Sequence, residues 1–354
     1  MTLELRQVAK QVGAETHIYP TDLVLQDRGF NILLGTTLAG KTTLMQLMAG
    51  LERPSAGEVW FNGKNVTTMA VQKRNVSMVH QQFINYPHLS VFENIASPLR
   101  VARLKRDEIA ARVERVATLL KLAPLLKRRP GELSGGQQQR TALARALVKD
   151  ADLVLLDEPL ANLDFKLREE LRDELPRLFQ DRDCTVVYAT SEPSEALLLG
   201  GHTATLHEGR VIQFGETAKT YRRPADLRSA QVFSDPPMNT AQVAKRGDRF
   251  TLDGGVGWPV EGDRQSLPDG PYTVGIRPHH ISPVPLAQNA VEVAGKVLLT
   301  ELSGSESVVH FALDGRTWVS QSHGIHPLEV GSDARFYLDI GKSLYFGQDE
   351  ALIA

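Results

Sequence analysis

The sequence lacks several features that would indicate a secreted or membrane-spanning protein. Cysteine occurs once among 354 residues, at Cys184, which excludes an internal disulfide framework and is typical of a reducing compartment. No apolar run approaches the length of about 18 residues that spans a bilayer. The sequence MTLELRQVAK at the start has no long apolar core behind a basic segment, so we expect no signal peptide. These absences predict a soluble cytoplasmic protein.

The sequence also has little net charge of either sign. Its formal net charge is −2, so no overall basic field favours nucleic acid, and we expect no nucleic-acid partner. It has no low-complexity segment and no convincing internal repeat. Hydrophobic residues make up 42% and charged residues 23% of the chain, the ordinary balance of a globular protein with a sizeable core.

Strand patterns alternate with helix patterns in the first part of the chain. Residues 31–34 form an apolar strand pattern, and residues 43–48 begin a helical one. Residues 109–120 carry apolar side chains at spacings of three and four, which predicts a helix. Two further apolar runs, LVLLD and TVVYAT, end in polar clusters. This alternation predicts an α/β fold with a mainly parallel sheet.

The pattern changes near residues 233–243, where two prolines interrupt the chain. Short alternating strand patterns follow, such as YTVGI, VEVAGKVLL, ESVVHFAL and ARFYLDI, separated by Gly, Pro, Asp and Ser. They predict a small all-β domain of barrel type, similar to an OB fold. We therefore place the domains at 1–235 and 236–354.

A phosphate-binding motif follows the first of these strands. The segment matches G-x-x-x-x-G-K-[ST] in full, with the residues Gly35, Thr36, Thr37, Leu38, Ala39, Gly40, Lys41 and Thr42, and with Thr43 next. The glycines let backbone N–H groups turn around phosphate oxygens, and the following helix adds its positive end. Lys41 is predicted to reach the β- and γ-phosphates of a nucleotide, and the Thr42 hydroxyl to hold Mg²⁺. The alternative is a glycine-rich turn before a helix.

Two acids end the strand LVLLD. Asp157 is predicted to hold Mg²⁺ through water, as the second acid-bearing strand does in P-loop NTPases. Glu158 is predicted to polarise the attacking water. The alternative is a pair of surface acids at the end of a strand.

The segment LSGGQQQR, residues 133–140, predicts a helix that begins with an open N-terminus. Ser134 and Gln137 have the spacing of a helix cap, while Gly135 and Gly136 leave the first N–H groups accessible to a phosphate. One interpretation is a second phosphate-binding helix end. The alternative is an ordinary capped helix.

Together these motifs resemble the ATP-binding subunits of ABC transporters over the whole chain. The shared segments follow the family's order: the P-loop, VHQQ with Gln81, LSGGQ, LLDEP, and ANLD with Asp164. QQFINYPHLSVFENIASPLR, DPPMN, GIRPHH and ELSGSES resemble the ATPases of carbohydrate and polyol importers. The first of these, with TSEPSEALLLGG, also resembles the ATPases of bacterial glycerol importers. The resemblance implies a P-loop NTPase domain with a helical subdomain, followed by the all-β domain.

The resemblance also implies roles for residues that composition and spacing leave unassigned. In this family each ATP, with Mg²⁺, lies between the P-loop of one chain and the signature segment, here residues 134–137, of another. Gln81 is then expected to contact Mg²⁺ and the attacking water, and Asp164 to lie in the dimer loop.

The family resemblance further implies membrane partners. Two permease subunits are expected, with a periplasmic binding protein acting indirectly, which places the chain at the cytoplasmic face of the bacterial inner membrane. The segment with Phe83, Tyr86, Pro87 and His88 would seat a coupling helix of the permeases. The alternative is that these side chains pack locally.

The sequence departs from the family at the position of the aromatic residue that stacks on adenine. Val12 occupies that position, and Tyr19 lies nearby. Tyr19 either substitutes for the missing aromatic or packs in its strand.

The second departure concerns the switch histidine, whose position is occupied by Ser191. A serine hydroxyl is shorter than an imidazole and lacks its second nitrogen, which predicts poor hydrolysis at the site built on this chain's own P-loop. The alternative is that Glu158 suffices. We expect a homodimer or, with more reason, a heterodimer with unequal sites. A weakly catalytic structural subunit and a soluble non-transport ABC ATPase are the alternative functions.

Overall fold

A computed structural model describes residues 2–82, 84–161, 163–180, 182–285 and 287–354. The chain divides into two compact units, Met1–Thr220 and Tyr221–Ala354. The domain boundary predicted after residue 235 lies further along the chain and stays a prediction. Within the second unit, Ala230 packs against Met238 and Phe346, so residues shortly before 235 share a core with those that follow.

The strands of the first unit are β1 (Leu3–Val12), β2 (Glu15–Val24), β3 (Phe30–Leu34), β4 (Ala56–Phe61), β5 (Lys64–Asn65), β6 (Val76–Val79), β7 (Leu153–Asp157), β8 (Thr185–Thr190), β9 (His202–His207) and β10 (Arg210–Glu216). The helices of the chain are α1 (Lys41–Ala49), α2 (Val91–Val101), α3 (Arg106–Leu119), α4 (Gly135–Leu147), α5 (Phe165–Gln180), α6 (Pro193–Leu199), α7 (Thr217–Arg222) and α8 (Leu227–Val232).

A mainly parallel sheet forms the centre of the first unit, in the order β10-β9-β3-β8-β7-β6. Strand β3 pairs in parallel with β8 and β9, and β7 pairs in parallel with β6 and β8. All residues of β3, β7 and β8 are buried, as continuous apolar runs require of strands covered on both faces. The predicted sheet is confirmed.

A second sheet in the same unit is antiparallel, in the order β2-β1-β4-β5. Its inward residues Leu5, Ile18 and Val59 share one hydrophobic cluster with Met45 of α1 and Leu206 of β9. Helix α1 therefore lies on a core to which both sheets contribute.

The helices α2, α3 and α4 pack together. Ile109, Val113 and Val116 are buried along α3, which confirms the predicted apolar face. Helix α4 begins with the predicted cap: the Gln137 N–H donates to Ser134 Oγ at 3.3 Å, and the Ser134 N–H donates to Gln137 Oε1 at 3.1 Å.

The second unit is an all-antiparallel, nearly closed barrel similar to an OB fold, as predicted. Its strands are β11 (Asn239–Arg246), β12 (Arg249–Leu252), β13 (Gly257–Pro259), β14 (Gly270–Ile276), β15 (Ile281–Ser282), β16 (Val291–Leu302), β17 (Glu306–Leu313), β18 (Arg316–His323), β19 (Asp333–Leu338) and β20 (Leu344–Phe346). They form two sheets with the orders β13-β12-β11-β14-β20 and β15-β19-β16-β17-β18. One core holds Trp258, Phe250 and Tyr345 together with the stacked rings of Phe311 and Phe336, whose centroids are 3.8 Å apart.

Candidate functional site

One edge of the parallel sheet brings together three of the predicted motifs. Leu34, at the end of β3, pairs with Thr190 of β8, and Asp157 of β7 pairs with Ala189 of β8. Ligands of open α/β sheets bind at the carboxyl ends of such strands. The phosphate loop, the acid pair and Ser191 therefore all begin at this edge.

The phosphate loop, residues 35–40, needs glycine at both ends. A Cβ on Gly35 would lie 2.6 Å from the Leu206 carbonyl oxygen, and Gly40 has a φ of 98°. Helix α1 begins directly after Gly40 without a side-chain cap. The first N–H groups of α1 therefore face the loop with no side chain satisfying them, which suits a phosphate group.

Lys41 is buried at the start of α1, and its ammonium group has local partners. Its Nζ donates to the carbonyl oxygens of Gly35 at 2.8 Å and Thr36 at 3.1 Å. It also lies 3.3 Å from Glu158 Oε1. Since a buried cation needs such compensation, ATP phosphates would replace Glu158 as the counter-charge of Lys41.

Asp157 is buried beside Thr42, whose hydroxyl donates to Asp157 Oδ2 at 2.8 Å. Burial raises the pKa of Asp157, while the Thr42 hydrogen bond opposes that change. Among the described residues, Asp157 Oδ1 is buried without a hydrogen-bond partner. A hard cation suits such an oxygen, so Asp157 and the adjacent Thr42 hydroxyl fit Mg²⁺, while the predicted ligand Gln81 lines the same cavity as Thr42.

The part of the chain that the structure describes holds no cluster of three or more His, Cys, Asp or Glu that could bind a metal ion. The donors near Asp157 would therefore supply few protein ligands. Mg²⁺ commonly binds in this way, with one or two carboxylates, retained waters and phosphate oxygens of the substrate.

Glu158 lies between two of the predicted site residues. Its Oε2 accepts from Gln81 Nε2 at 3.1 Å, while Oε1 faces Lys41. Its backbone has a φ of 46°, and its N–H donates to the Ala189 carbonyl at 3.0 Å. This left-handed turn, held by the neighbouring strand, points to a constrained functional position.

A cavity of about 650 Å³ opens at this edge. It is lined by Glu15, Thr16, His17, Tyr19, Thr37, Leu38, Ala39, Gly40, Lys41, Thr42, Thr43, Gln81, Glu158, Glu208 and Gly209. Val12 does not line it. Tyr19 does, but the Arg210 guanidinium lies 3.5 Å from the centre of its ring, so one face of that ring already has a partner.

The signature segment, residues 134–137, does not line this cavity. Ser134 and Gly135 are exposed, and a Cβ placed on Gly135 would meet nothing within 4 Å. Ser134 Oγ caps the Gln137 N–H, but Gly135 leaves the first turn of α4 accessible to a group from another molecule.

Ser191 is exposed at the end of β8, and the residue after it forms ion pairs. Glu192 accepts from Arg168 Nη1 at 2.7 Å and from Arg172 Nη2 at 2.9 Å. Arg168 Nη2 also donates to the Ala161 carbonyl at 2.9 Å. These bonds join the segment at Ser191 to the loop that follows Glu158.

A buried acid extends this group of charges. Glu195 accepts from the Tyr188 hydroxyl at 2.9 Å and from Thr190 Oγ1 at 2.7 Å, and its Oε1 lies 3.5 Å from Arg172. Burial first, and then the Glu195 charge, raises the pKa of Tyr188. Sequence reasoning missed this network, because its members come together only when α5 and β8 both pack against α6.

The remaining predicted residues lie elsewhere on the first unit. Asp164 caps α5 by accepting from the Leu167 N–H at 3.0 Å. Tyr86 is half-exposed, with the Arg145 guanidinium 5.0 Å from its ring centre. Pro87 and His88 are exposed, and Phe83 lies outside the described residues.

The comparisons with known proteins agree with this geometry. The sequence model of the family described as ABC transporter matches residues 21–161. The sn-glycerol-3-phosphate import ATP-binding protein UgpC of Escherichia coli (strain K12) is 38% identical over 311 residues, which are 87% of this chain and 87% of that protein. UgpC of Yersinia pestis bv. Antiqua (strain Antiqua) is 35% identical and covers 99% of this chain and 98% of its own.

The chain therefore belongs to the ATP-binding proteins of the ABC transporter family. Within that family it is an ATP-hydrolysing subunit of the carbohydrate and polyol importer type, as the sequence predicts. A solved dimeric structure of the ATP-binding cassette MJ0796, in a post-hydrolysis state bound to ADP and Pi, has a TM-score of 0.57 at 27% identity. It covers 61% of this chain and 98% of its own, which confirms the P-loop NTPase fold.

Across the described ranges, no helix combines the length and apolar character needed to cross a membrane.

Proposed function

We propose that the chain is one of two ATPase subunits that energise a bacterial importer of a glycerol-type solute, a sugar or a polyol. The observation that carries this proposal is an incomplete site. The cavity at the phosphate loop has Lys41, Thr42, Gln81 and Glu158 in place, yet the signature segment of the same chain takes no part in it. A second ATPase subunit would supply that segment.

The residues of this chain would act on ATP in a defined order. On binding, Lys41 would exchange its contact with Glu158 for the β- and γ-phosphates, next to the open N-terminus of α1. Glu158, released from Lys41 and still beside Gln81, would orient the attacking water and accept its proton. Asp157, Thr42 and Gln81 would hold Mg²⁺, which when bound neutralises charge on the phosphates.

We further propose that the partner is a different ATPase and that the two sites are unequal. The support is Ser191: its exposed hydroxyl is too short to hold both the γ-phosphate and the water as an imidazole would. The site on this chain's P-loop would then turn over slowly. The other site would use this chain's intact signature segment and a partner's own residues.

The permeases would dock on the helical part of the first unit, at the cytoplasmic face of the inner membrane. A cavity of about 250 Å³ there is lined in part by Tyr86, Val101, Arg145 and Lys149. Val101 is 85% exposed, which supports an apolar contact with a coupling helix. A periplasmic binding protein would act through the permeases, without touching this chain.

Affinity purification of the tagged chain from its native membrane tests the proposed function. Two polytopic permeases and a second ATPase should co-purify, and the reconstituted complex should show ATP turnover stimulated by its binding protein loaded with glycerol phosphate or glycerol. If only a binding protein loaded with another sugar or polyol stimulates ATP turnover, the proposed solute is wrong and that molecule replaces it. A chain that co-purifies with no membrane protein would instead favour a soluble ABC ATPase.

Restoring the histidine tests the role of Ser191. In the complex that carries Gly135→Asp, only the site on this chain's P-loop keeps an intact signature. We expect Ser191→His in that background to raise the residual ATP turnover about tenfold, because an imidazole adds a second contact to the γ-phosphate and water. Ser191→Ala is the control and should change nothing. An unchanged rate with histidine would show that Glu158 suffices.

A further inference from the structure

Leu38 has a backbone conformation that leucine rarely adopts. The Ala39 N–H donates to the Thr36 carbonyl at 3.1 Å, which closes a tight turn with Leu38 as its third residue. The φ of Leu38 is 68°, in the left-handed region where glycine is favoured at that place in a turn. A side chain there strains the backbone, so the leucine is retained at a cost to the isolated fold.

The side chain of Leu38 contributes nothing to the core of its own unit. It is 94% exposed, more than any other exposed large hydrophobic residue that the structure describes. It lines the cavity together with Thr37, Ala39, Gln81 and Glu158. Water therefore covers an apolar, strained residue where the second ATPase subunit would close.

The proposed partner surface has room for this side chain. Gly135, in the signature segment of this chain, has no side chain. A Cβ built on it would have no heavy atom within 4 Å. A segment of the same kind from the opposite subunit would offer bare backbone on which a leucine can pack. We propose that Leu38 is a contact residue for the signature segment of the partner ATPase, buried only when the two subunits close on ATP.

This inference rests on the proposed function, since it requires a second ATPase subunit over the cavity. It adds that the loop itself carries an apolar contact which excludes water from the closed site. Burial of apolar surface would offset the strain of the left-handed leucine in the closed state alone. Leu38 would thus favour closure without holding the nucleotide.

Three substitutions separate the backbone strain at Leu38 from the contact that its side chain would make with the partner. Leu38→Gly should relieve the strain and raise the midpoint of thermal unfolding without nucleotide by about 2–4 °C. Leu38→Ala keeps a side chain at the strained position and removes only the apolar contact. Arg103→Gly is the matched control, because Arg103 is exposed with a φ of 58° on a loop away from the cavity; it should stabilise the chain without affecting closure.

The contact is measured by comparing the isolated chain with the assembled transporter. For Leu38→Ala and Leu38→Gly, the ATP affinity of the isolated chain is measured first, because it gives the effect of each substitution on the phosphate loop itself. The ATP concentration that gives half-maximal turnover of the complex should rise about tenfold beyond that effect. Equal changes in the isolated chain and in the complex would mean that Leu38 acts on the nucleotide alone and would overturn the inference. A half-maximal ATP concentration that stays unchanged in the complex would overturn it too.

Photo-crosslinking identifies what covers Leu38. Leu38→Cys, labelled with benzophenone maleimide in a Cys184→Ser background, should crosslink to the signature segment of an ATPase subunit only when ATP is present. Crosslinks to a permease, or within the chain alone, would contradict the inference. A wild-type chain that binds no ATP, or joins no second ATPase, would instead refute the proposed function itself.

Discussion

In the assembled transporter, Gly135→Asp is expected to lower ATP turnover about 100-fold, whereas Glu158→Gln should lower it less than about threefold. Gly135 lies in the first turn of α4, where Ser134 caps the Gln137 N–H and the N–H groups of Gly135 and Gly136 would face a γ-phosphate held by the partner. A carboxylate placed there would repel that phosphate and oppose the positive end of the helix. The change therefore disables the site that we propose to be the active one.

Glu158→Gln removes the base from the other site only. Glu158 is well placed beside Gln81 and Lys41, so its geometry alone would predict a large loss of ATP turnover in Glu158→Gln. The small effect is expected because the site already lacks the histidine at position 191. The rates of ATP turnover are measured in detergent or nanodiscs. The ATP affinity of each variant is compared with that of the wild type. A Glu158→Gln loss much larger than the Gly135→Asp loss would contradict unequal sites.

Lys41→Ala is expected to weaken ATP binding by the isolated chain about 100-fold, which corresponds to about 2.7 kcal/mol. Charge-assisted hydrogen bonds to phosphate are among the strongest single contacts in a binding site. The same change leaves the carbonyl oxygens of Gly35 and Thr36 without their donor, so the loop also loses the shape that presents its N–H groups.

Isothermal titration with a non-hydrolysed ATP analogue measures this loss, and Lys149→Ala is the matched control. Lys149 is also partly buried and donates to a backbone carbonyl, that of Val76 at 2.9 Å, but it lies outside the phosphate cavity. Its removal should leave ATP affinity unchanged. Comparable losses in both variants would show that the Lys41 effect comes from general destabilisation.

The arrangement of the site could be predicted from local sequence wherever parallel strands determine it. The runs that became β3, β7 and β8 are apolar on both faces, so a buried parallel sheet was the simplest interpretation. The ends of such strands meet at one edge. That rule alone places the phosphate loop, Asp157 and Ser191 close together. The helix cap formed by Ser134 and Gln137 can likewise be predicted from the spacing of these two residues.

Other features depend on contacts between distant segments, which no local pattern encodes. The pairing of Glu192 with Arg168 requires α5 to pack beside the start of α6. The contact of Lys41 with Glu158 requires β3 and β7 to flank β8 in the central sheet. The antiparallel sheet of β1, β2, β4 and β5 pairs strands that alternate irregularly, with register shifts between β1 and both of its neighbours.

The conformation of Leu38 illustrates a different limit. The phosphate-loop motif specifies two glycines, a lysine and a threonine, and it accepts any residue at the four positions between the glycines. The motif therefore does not predict the backbone angles at those positions. The φ of 68° at Leu38 follows from the path that the loop takes between Gly35 and Gly40, and only the folded backbone reveals it.

The ion pairs of Glu192 have an evolutionary consequence. Because Arg168 and Arg172 hold residue 192, and Glu195 holds Tyr188 and Thr190, the path of the backbone at position 191 does not depend on the side chain there. Replacing Ser191 with histidine is therefore expected to need no compensating change elsewhere in the fold. If the site on this chain's P-loop turns over slowly, as we propose, a duplicated ATPase gene would have lost one catalytic group while the scaffold stayed intact, and a single substitution would restore it.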